Sequence, residues 1–209
     1  MLMKKIGHNM TLEPSLYSAP IKDDDRRHAR RRSVFLRSSV YPVDAFFDAR
    51  IRDVSATGIR GESDLELAIG QTMHVTTDEL TYHAGTVKWV QARQFGLHLP
   101  DALYMFGVEL VDIDHGHWEG HQPRAPRVRI NPTARLLVGR PPRPGIIRNL
   151  SSTGMLLDTG PGLRPGQHLI VRAGNAHPVY GRVQWTKDGR LGFKAQNRIS
   201  ILSFVDMDD

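Results

Sequence analysis

Apolar and polar positions along this chain exchange places mainly with a period of two, and seldom with the three-to-four spacing of a helix. Gly85-Thr86-Val87-Lys88-Trp89-Val90 is the clearest case. Its β-branched and aromatic residues predict a strand, and Phe95-Gly96-Leu97-His98-Leu99 reads as the hairpin partner. Ser33-Val34-Phe35-Leu36-Arg37 predicts an earlier strand, and Phe46 to Asp53 alternates loosely into another. Gly70 to Thr76 predicts a turn followed by a strand, and Pro100 to Met105 a single short helix. Nineteen Gly and thirteen Pro, spread along the chain, suit short strands joined by many turns.

The pattern occurs twice. Arg52-Asp53-Val54-Ser55-Ala56-Thr57-Gly58-Ile59-Arg60 returns as Arg148-Asn149-Leu150-Ser151-Ser152-Thr153-Gly154-Met155-Leu156, an offset of 96 residues (149 − 53). The same offset relates Arg31 to Arg127, Ile51 to Ile147, Gly70 to Gly166, Gly85 to Gly181, Val87 to Val183, Trp89 to Trp185 and Gly96 to Gly192. Turn glycines, a Val and a Trp recurring in register predict two copies of one all-β unit, each a small barrel or sandwich. The Trp pair is expected in the core. The boundaries read as an N-terminal arm over 1–23, a first unit over 24–113, a linker over 114–122 and a second unit over 123–209. Arg140, Arg143 and Arg148, interleaved with prolines, are expected on an exposed basic loop.

Composition narrows the function. The formal charge of +6 matters because Arg26, Arg27, Arg30, Arg31 and Arg32 cluster within seven residues, which calls for an anionic partner. With no Cys there are no disulfides, thiolate nucleophiles or Cys-based zinc sites. No apolar run has the length of a signal peptide or a membrane helix, so a soluble, cytoplasmic protein is expected, without membrane insertion. His115, His117 and His121, with Asp112, Asp114 and Glu119, fit no standard closed zinc spacing and read as solvated linker. No nucleophile elbow and no Lys-bearing phosphate loop is present, so catalysis is not expected.

The remaining chemistry lies in the arginines and the first corner. Asp53 and Ser55 are two apart, so in extended backbone they share a face. Gly58 allows positive φ and close approach of a ligand to the backbone. Arg27 and Arg31 facing a carboxylate and a hydroxyl ask for a ligand that is anionic and also presents donors. A guanine nucleotide does both, since Arg forks bind phosphate or the Hoogsteen edge of guanine and a carboxylate accepts from the guanine N–H groups.

Arg27-His28-Ala29-Arg30-Arg31 followed by Asp53-Val54-Ser55-Ala56-Thr57-Gly58 resembles the paired motifs of the PilZ domain, Arg-x-x-x-Arg and Asp/Asn-x-Ser-x-x-Gly. The Val87-Lys88-Trp89 strand and the Phe95-Gly96-Leu97 return are similar to the same family. The resemblance implies two six-stranded β-barrels in tandem, with short helices, and a noncatalytic bacterial receptor for the second messenger cyclic di-GMP, needing no cofactor or metal. It implies that Arg27 and Arg31 clamp phosphates and guanine edges, that Asp53 and Ser55 read a guanine, that Gly58 shapes the corner, and that Arg26 supports them. The second copy departs from the motif: Pro123 stands where the first has Arg27, and Asn149 replaces Asp53. It is therefore expected to be a degenerate copy kept for packing, partner binding or dimerisation. Output through an unidentified protein partner, and a possible homodimer, complete the expectation. The alternatives are a small-barrel nucleic-acid-binding protein using the same Arg run, and a ligand-independent structural adaptor.

Overall fold

A computed structural model describes residues 31–109 and 126–205. Residues 1–30, which include Arg26, Arg27 and Arg30, lie outside them, as do the 114–122 linker with its histidines and the second unit's Pro123. The described residues form β1 (Arg32–Ser55), β2 (Gly58–Glu62), β3 (Thr72–Thr76), β4 (His83–Gln91), β5 (Gln94–His98), α1 (Ala102–Met105), β6 (Val128–Arg129), β7 (Thr133–Gly139), β8 (Arg143–Ser151), β9 (Gly154–Asp158), β10 (His168–Arg172), β11 (Val179–Lys187), β12 (Arg190–Ala195) and α2 (Leu202–Val205). The fold is all-β with two closed six-stranded barrels, as the sequence implied, and both the β4–β5 hairpin and the short helix α1 fall where expected.

The barrels do not each close on one stretch of chain. The first runs β1–β2–β5–β4–β3–β7 and returns from β7 to β1; the second runs β1–β8–β9–β12–β11–β10 and returns from β10 to β1. Strand β1 serves both, because it is 24 residues long and changes barrel midway. Its first half pairs with β8 and β10 of the second repeat, and its second half with β2 and β7. Strand β7, the second repeat's own copy of that first half, completes the first barrel between β1 and β3. The two repeats have thus exchanged their first strands.

The cores confirm the exchange. Leu36 and Val40 are buried with Ile147, Leu150, Leu157, Leu169 and Phe193 in the second barrel, while Ala134, Leu136 and Val138 are buried with Ile51, Val75, Val87 and Phe95 in the first. A fully buried aliphatic side chain contributes about 1.5–3 kcal/mol, so the exchanged strands hold the repeats together through both cores. The crossing has an identifiable centre. Val43 pairs with Gly139, which is its own repeat equivalent (139 − 43 = 96). A Cβ on Gly139 would lie 1.7 Å from the Pro42 carbonyl oxygen, so the strands can touch there only at a glycine. Beside the crossing, Val43, Tyr82, Leu137, Ile170 and Tyr180 form a third, smaller apolar cluster.

Two sequence expectations are corrected. The tryptophans are not core residues: Trp185 is 46% exposed and Trp89 half-buried. A register shift between Val87 and Trp89, repeated between Val183 and Trp185, turns each indole onto the outer face. There it covers the glycine opposite, and a Cβ on Gly96 or Gly192 would lie 2.0 or 2.2 Å from the indole nitrogen. The Trp–Gly repetition is an outer-face stacking device, while Val87, Phe95, Val183 and Phe193 fill the interior. The basic loop is confined to Arg140, exposed in the bend after β7: β8 begins at Arg143, whose guanidinium donates to the carbonyls of Thr159 and Pro161, and Arg148 on β8 pairs with Asp158.

Candidate functional site

The two corners are two-residue turns between β1 and β2 and between β8 and β9. In each, the serine hydroxyl is buried and closes the turn: Ser55 Oγ donates to the Gly58 carbonyl at 3.3 Å, and Ser151 Oγ to the Gly154 carbonyl at 3.1 Å. Neither glycine has positive φ, so the expected left-handed role of Gly58 is corrected. Its requirement is steric. A Cβ on Gly58 would sit 2.1 Å from the Leu97 carbonyl oxygen, and one on Gly154 would sit 2.2 Å from that of Phe193. The ion pair outside the corner is also repeated, as Arg52–Glu62 at 2.5 Å and Arg148–Asp158 at 3.1 Å. The Arg52 hydrogen bond holds the Glu62 carboxyl below the usual carboxylate range.

The strand exchange decides which arginine meets which corner. At the start of β1, Arg32 lies opposite Leu150 and Ser33 opposite Asn149, and Ser33 Oγ donates to Asn149 Oδ1 at 3.2 Å. Arg31, exposed and one residue further out, therefore belongs to the Asn149 corner of the second barrel. The Asp53 corner faces the start of the second repeat instead: Val54 pairs with Val128 and Asp53 with Arg129, and the Arg127 guanidinium lies 3.7 Å from the Asp53 carboxylate. Arg31 and Asp53, expected on one site, are thus brought to different barrels by the two ends of one strand. Arg26 and Arg27 lie outside the described residues.

The corners also differ within themselves. Asp53 is buried and takes a 2.6 Å hydrogen bond from Arg60 Nε on the paired strand. Together with Arg127 this gives the carboxylate two cationic partners. The repeat equivalent of Arg60 is Leu156 (156 − 60 = 96), which lies opposite Asn149 and brings it no polar group. Asn149 is only half-buried. The flanks differ too: Arg52 donates to Asn131 at 3.3 Å, whereas Arg148 in the second copy lies 4.7 Å over the ring of Phe35, which is 64% exposed. The second corner thus carries an uncharged donor–acceptor group, an arginine-bearing chain end and an exposed aromatic ring with a guanidinium upon it.

A cavity of about 260 Å³ lies elsewhere, near the crossing, lined by Phe46, Glu79, Tyr82, Arg135, Tyr180 and Arg182 among others, and includes neither corner. Burial pushes the Tyr82 hydroxyl up to about 12, with the neighbouring Tyr180, Glu79 and Asp78 adding to it. Among the described residues, no group of three or more His, Asp or Glu side chains could hold a metal ion, and no helix is long and apolar enough to cross a membrane.

Paired six-stranded barrels, each with an Asp/Asn-x-Ser-x-x-Gly corner beside an arginine-bearing segment, define a tandem all-β module. The chain belongs to the PilZ domain family, whose family model matches it twice, over residues 24–118 and 121–206. PilZ domains are generally noncatalytic receptors for cyclic di-GMP. No curated protein and no solved structure gives a significant match.

The lock on Asp53 escaped the sequence reading, although its signal was present. Aligning the copies sets Arg60 against Leu156, an arginine in one copy where the other has an apolar residue at the position that pairs with the corner.

Proposed function

We propose that the protein is a noncatalytic cyclic di-GMP receptor, in which ligand occupancy changes the conformation of the paired barrels or their hold on a protein partner. The observation that carries this reading is an intact Asn149-x-Ser151-x-x-Gly154 corner with the arginine-bearing start of β1 laid against it, in a chain of the PilZ family. Arg26 and Arg27 precede Arg31 by five and four residues in the sequence. Guanidiniums supply bidentate contacts to phosphate and to the guanine Hoogsteen edge. The positive charge concentrated there draws in a dianionic ligand.

Because β1 threads both barrels, a ligand held at its start can bias how the barrels sit about the crossing, provided it binds the two arrangements with different affinity. The nearest rival is a nucleic-acid-binding barrel, which predicts affinity falling steeply with salt. Calorimetric titration of the full chain with cyclic di-GMP, GTP and a single-stranded oligonucleotide tests the reading. Saturable uptake of cyclic di-GMP with little heat from the other two is expected. Oligonucleotide binding with a steep salt slope, and none of the dinucleotide, would overturn it.

A further inference from the structure

Resting on that receptor reading, we propose that the cyclic di-GMP site is shared between the repeats, with Arg31 from the first and the Asn149–Gly154 corner from the second, while the Asp53 corner takes no ligand. Three observations carry the assignment. First, the strand exchange puts the start of β1 against Asn149, with Ser33 and Asn149 directly opposed and their side chains hydrogen-bonded.

Second, the repeat supplies its own gauge of reach. Arg127 occupies the position of Arg31 in the other copy, and its guanidinium comes within 3.7 Å of Asp53, the residue equivalent to Asn149. The same step along β1 brings Arg31 to the Asn149 corner.

Third, the two corners differ in what they can still bind. The Asp53 carboxylate is buried and bonded to Arg60 at 2.6 Å, with Arg127 beside it. A guanine would have to reach a buried carboxylate already engaged by one charge-assisted hydrogen bond and flanked by a second guanidinium. Asn149 faces Leu156 instead of an arginine and is half-buried. Its carboxamide carries two N–H donors on Nδ2 beside the Oδ1 that accepts from Ser33. A donor–acceptor amide suits the guanine edge, which presents N–H groups and a carbonyl together, better than a carboxylate that only accepts.

The test is calorimetry with cyclic di-GMP on the full chain and on Arg31→Ala, Arg127→Ala, Asn149→Ala and Asp53→Asn. Arg31 and Arg127 are exposed repeat equivalents, so neither change threatens folding and the pair alone separates the corners. Losing one charge-assisted contact corresponds to a fall in affinity of roughly tenfold or more. That fall is expected for Arg31→Ala; Asn149→Ala, which removes a neutral hydrogen bond, should lose roughly three- to tenfold, and Arg127→Ala and Asp53→Asn less than about threefold. A tenfold loss in Arg127→Ala or Asp53→Asn, or unchanged affinity in Arg31→Ala, would overturn the assignment while leaving the receptor reading intact. No uptake by the unaltered chain would overturn the receptor reading and the assignment with it.

Discussion

The Asp53 and Asn149 corners are built on the same turn and differ in what surrounds it. Both close with a buried serine bonded to a glycine carbonyl, and both need that glycine because the neighbouring strand leaves no room for a Cβ. Around this common frame the first corner has gathered charge, with Asp53 held between Arg60 and Arg127. The second has kept an amide facing a leucine. The motif residues alone do not separate a ligand site from a strut. The residue paired across from the motif differs between the copies, Arg60 in one and Leu156 in the other, and so does the segment laid beside it.

If the turn is common to both corners, the largest effects of mutation should be equal in them. Gly58→Ala and Gly154→Ala each force a Cβ against a strand carbonyl, and each should cost roughly 3 kcal/mol or more of stability. Thermal unfolding of the two variants reads this directly, and a large disparity would break the equivalence of the frames.

The barrels should part company in acid. His74 on β3 is buried, and desolvation, helped by Arg172, pushes its imidazole down to about 4. Its repeat equivalent is Ile170 (170 − 74 = 96). The unfolded chain takes up the proton near pH 6.5 and the folded chain only near 4, so the contribution is complete above 6.5 and is lost as pH falls towards 4. The loss attributable to His74 is of order 3 kcal/mol by pH 4. His74→Ile, which also removes a buried Nε2 with no hydrogen-bond partner in the described structure, should flatten that part of the pH profile in urea titrations at pH 7 and pH 4.5. An unchanged profile would show that the buried site on β3 admits the charged ring.

The smallest predicted difference lies within the corners. Asp53→Asn weakens the bond to Arg60, whose side chain is about one-third exposed, and should cost about 1–2 kcal/mol. Asn149→Ala should cost less than about 1 kcal/mol. Urea unfolding at pH 7 would check the order, and its reversal would sharpen the comparison by showing that Asn149 also serves the fold.

Much of this was legible in the residues. The 96-residue offset predicted two copies of an all-β unit, and Gly85–Val90 with Phe95–Leu99 gave the β4–β5 hairpin. The outward tryptophans were not legible, because the register shift that turns them out leaves their spacing from Val87 and Val183 unchanged.

The exchange was not legible either, and for a deeper reason. Repeat symmetry gives an exchanged and an unexchanged barrel the same strand sequences and the same pairings, so Ser33 meets a corner residue in both, Asn149 in one and Asp53 in the other. What separates them is the hinge. Val40-Tyr41-Pro42-Val43 contains no glycine and continues as strand through the crossing, and a stiff extended hinge favours exchange over a tight return. Reading the motifs along the chain joined Arg31 to Asp53; the sheet sets Ser33, two residues on, against Asn149.

The chain has no cysteine, so the exchange can be read by cross-linking. Residues opposed in an antiparallel ladder lie about 4.5–5.5 Å apart at Cα, within disulfide range. In full-length protein under mild oxidation, Ser33→Cys with Asn149→Cys should form an intramolecular disulfide, seen as a mobility shift of the monomer band reversed by reductant. Ser33→Cys with Asp53→Cys should form none, and a disulfide in that pair with none in the first would contradict the exchange and the shared site built on it.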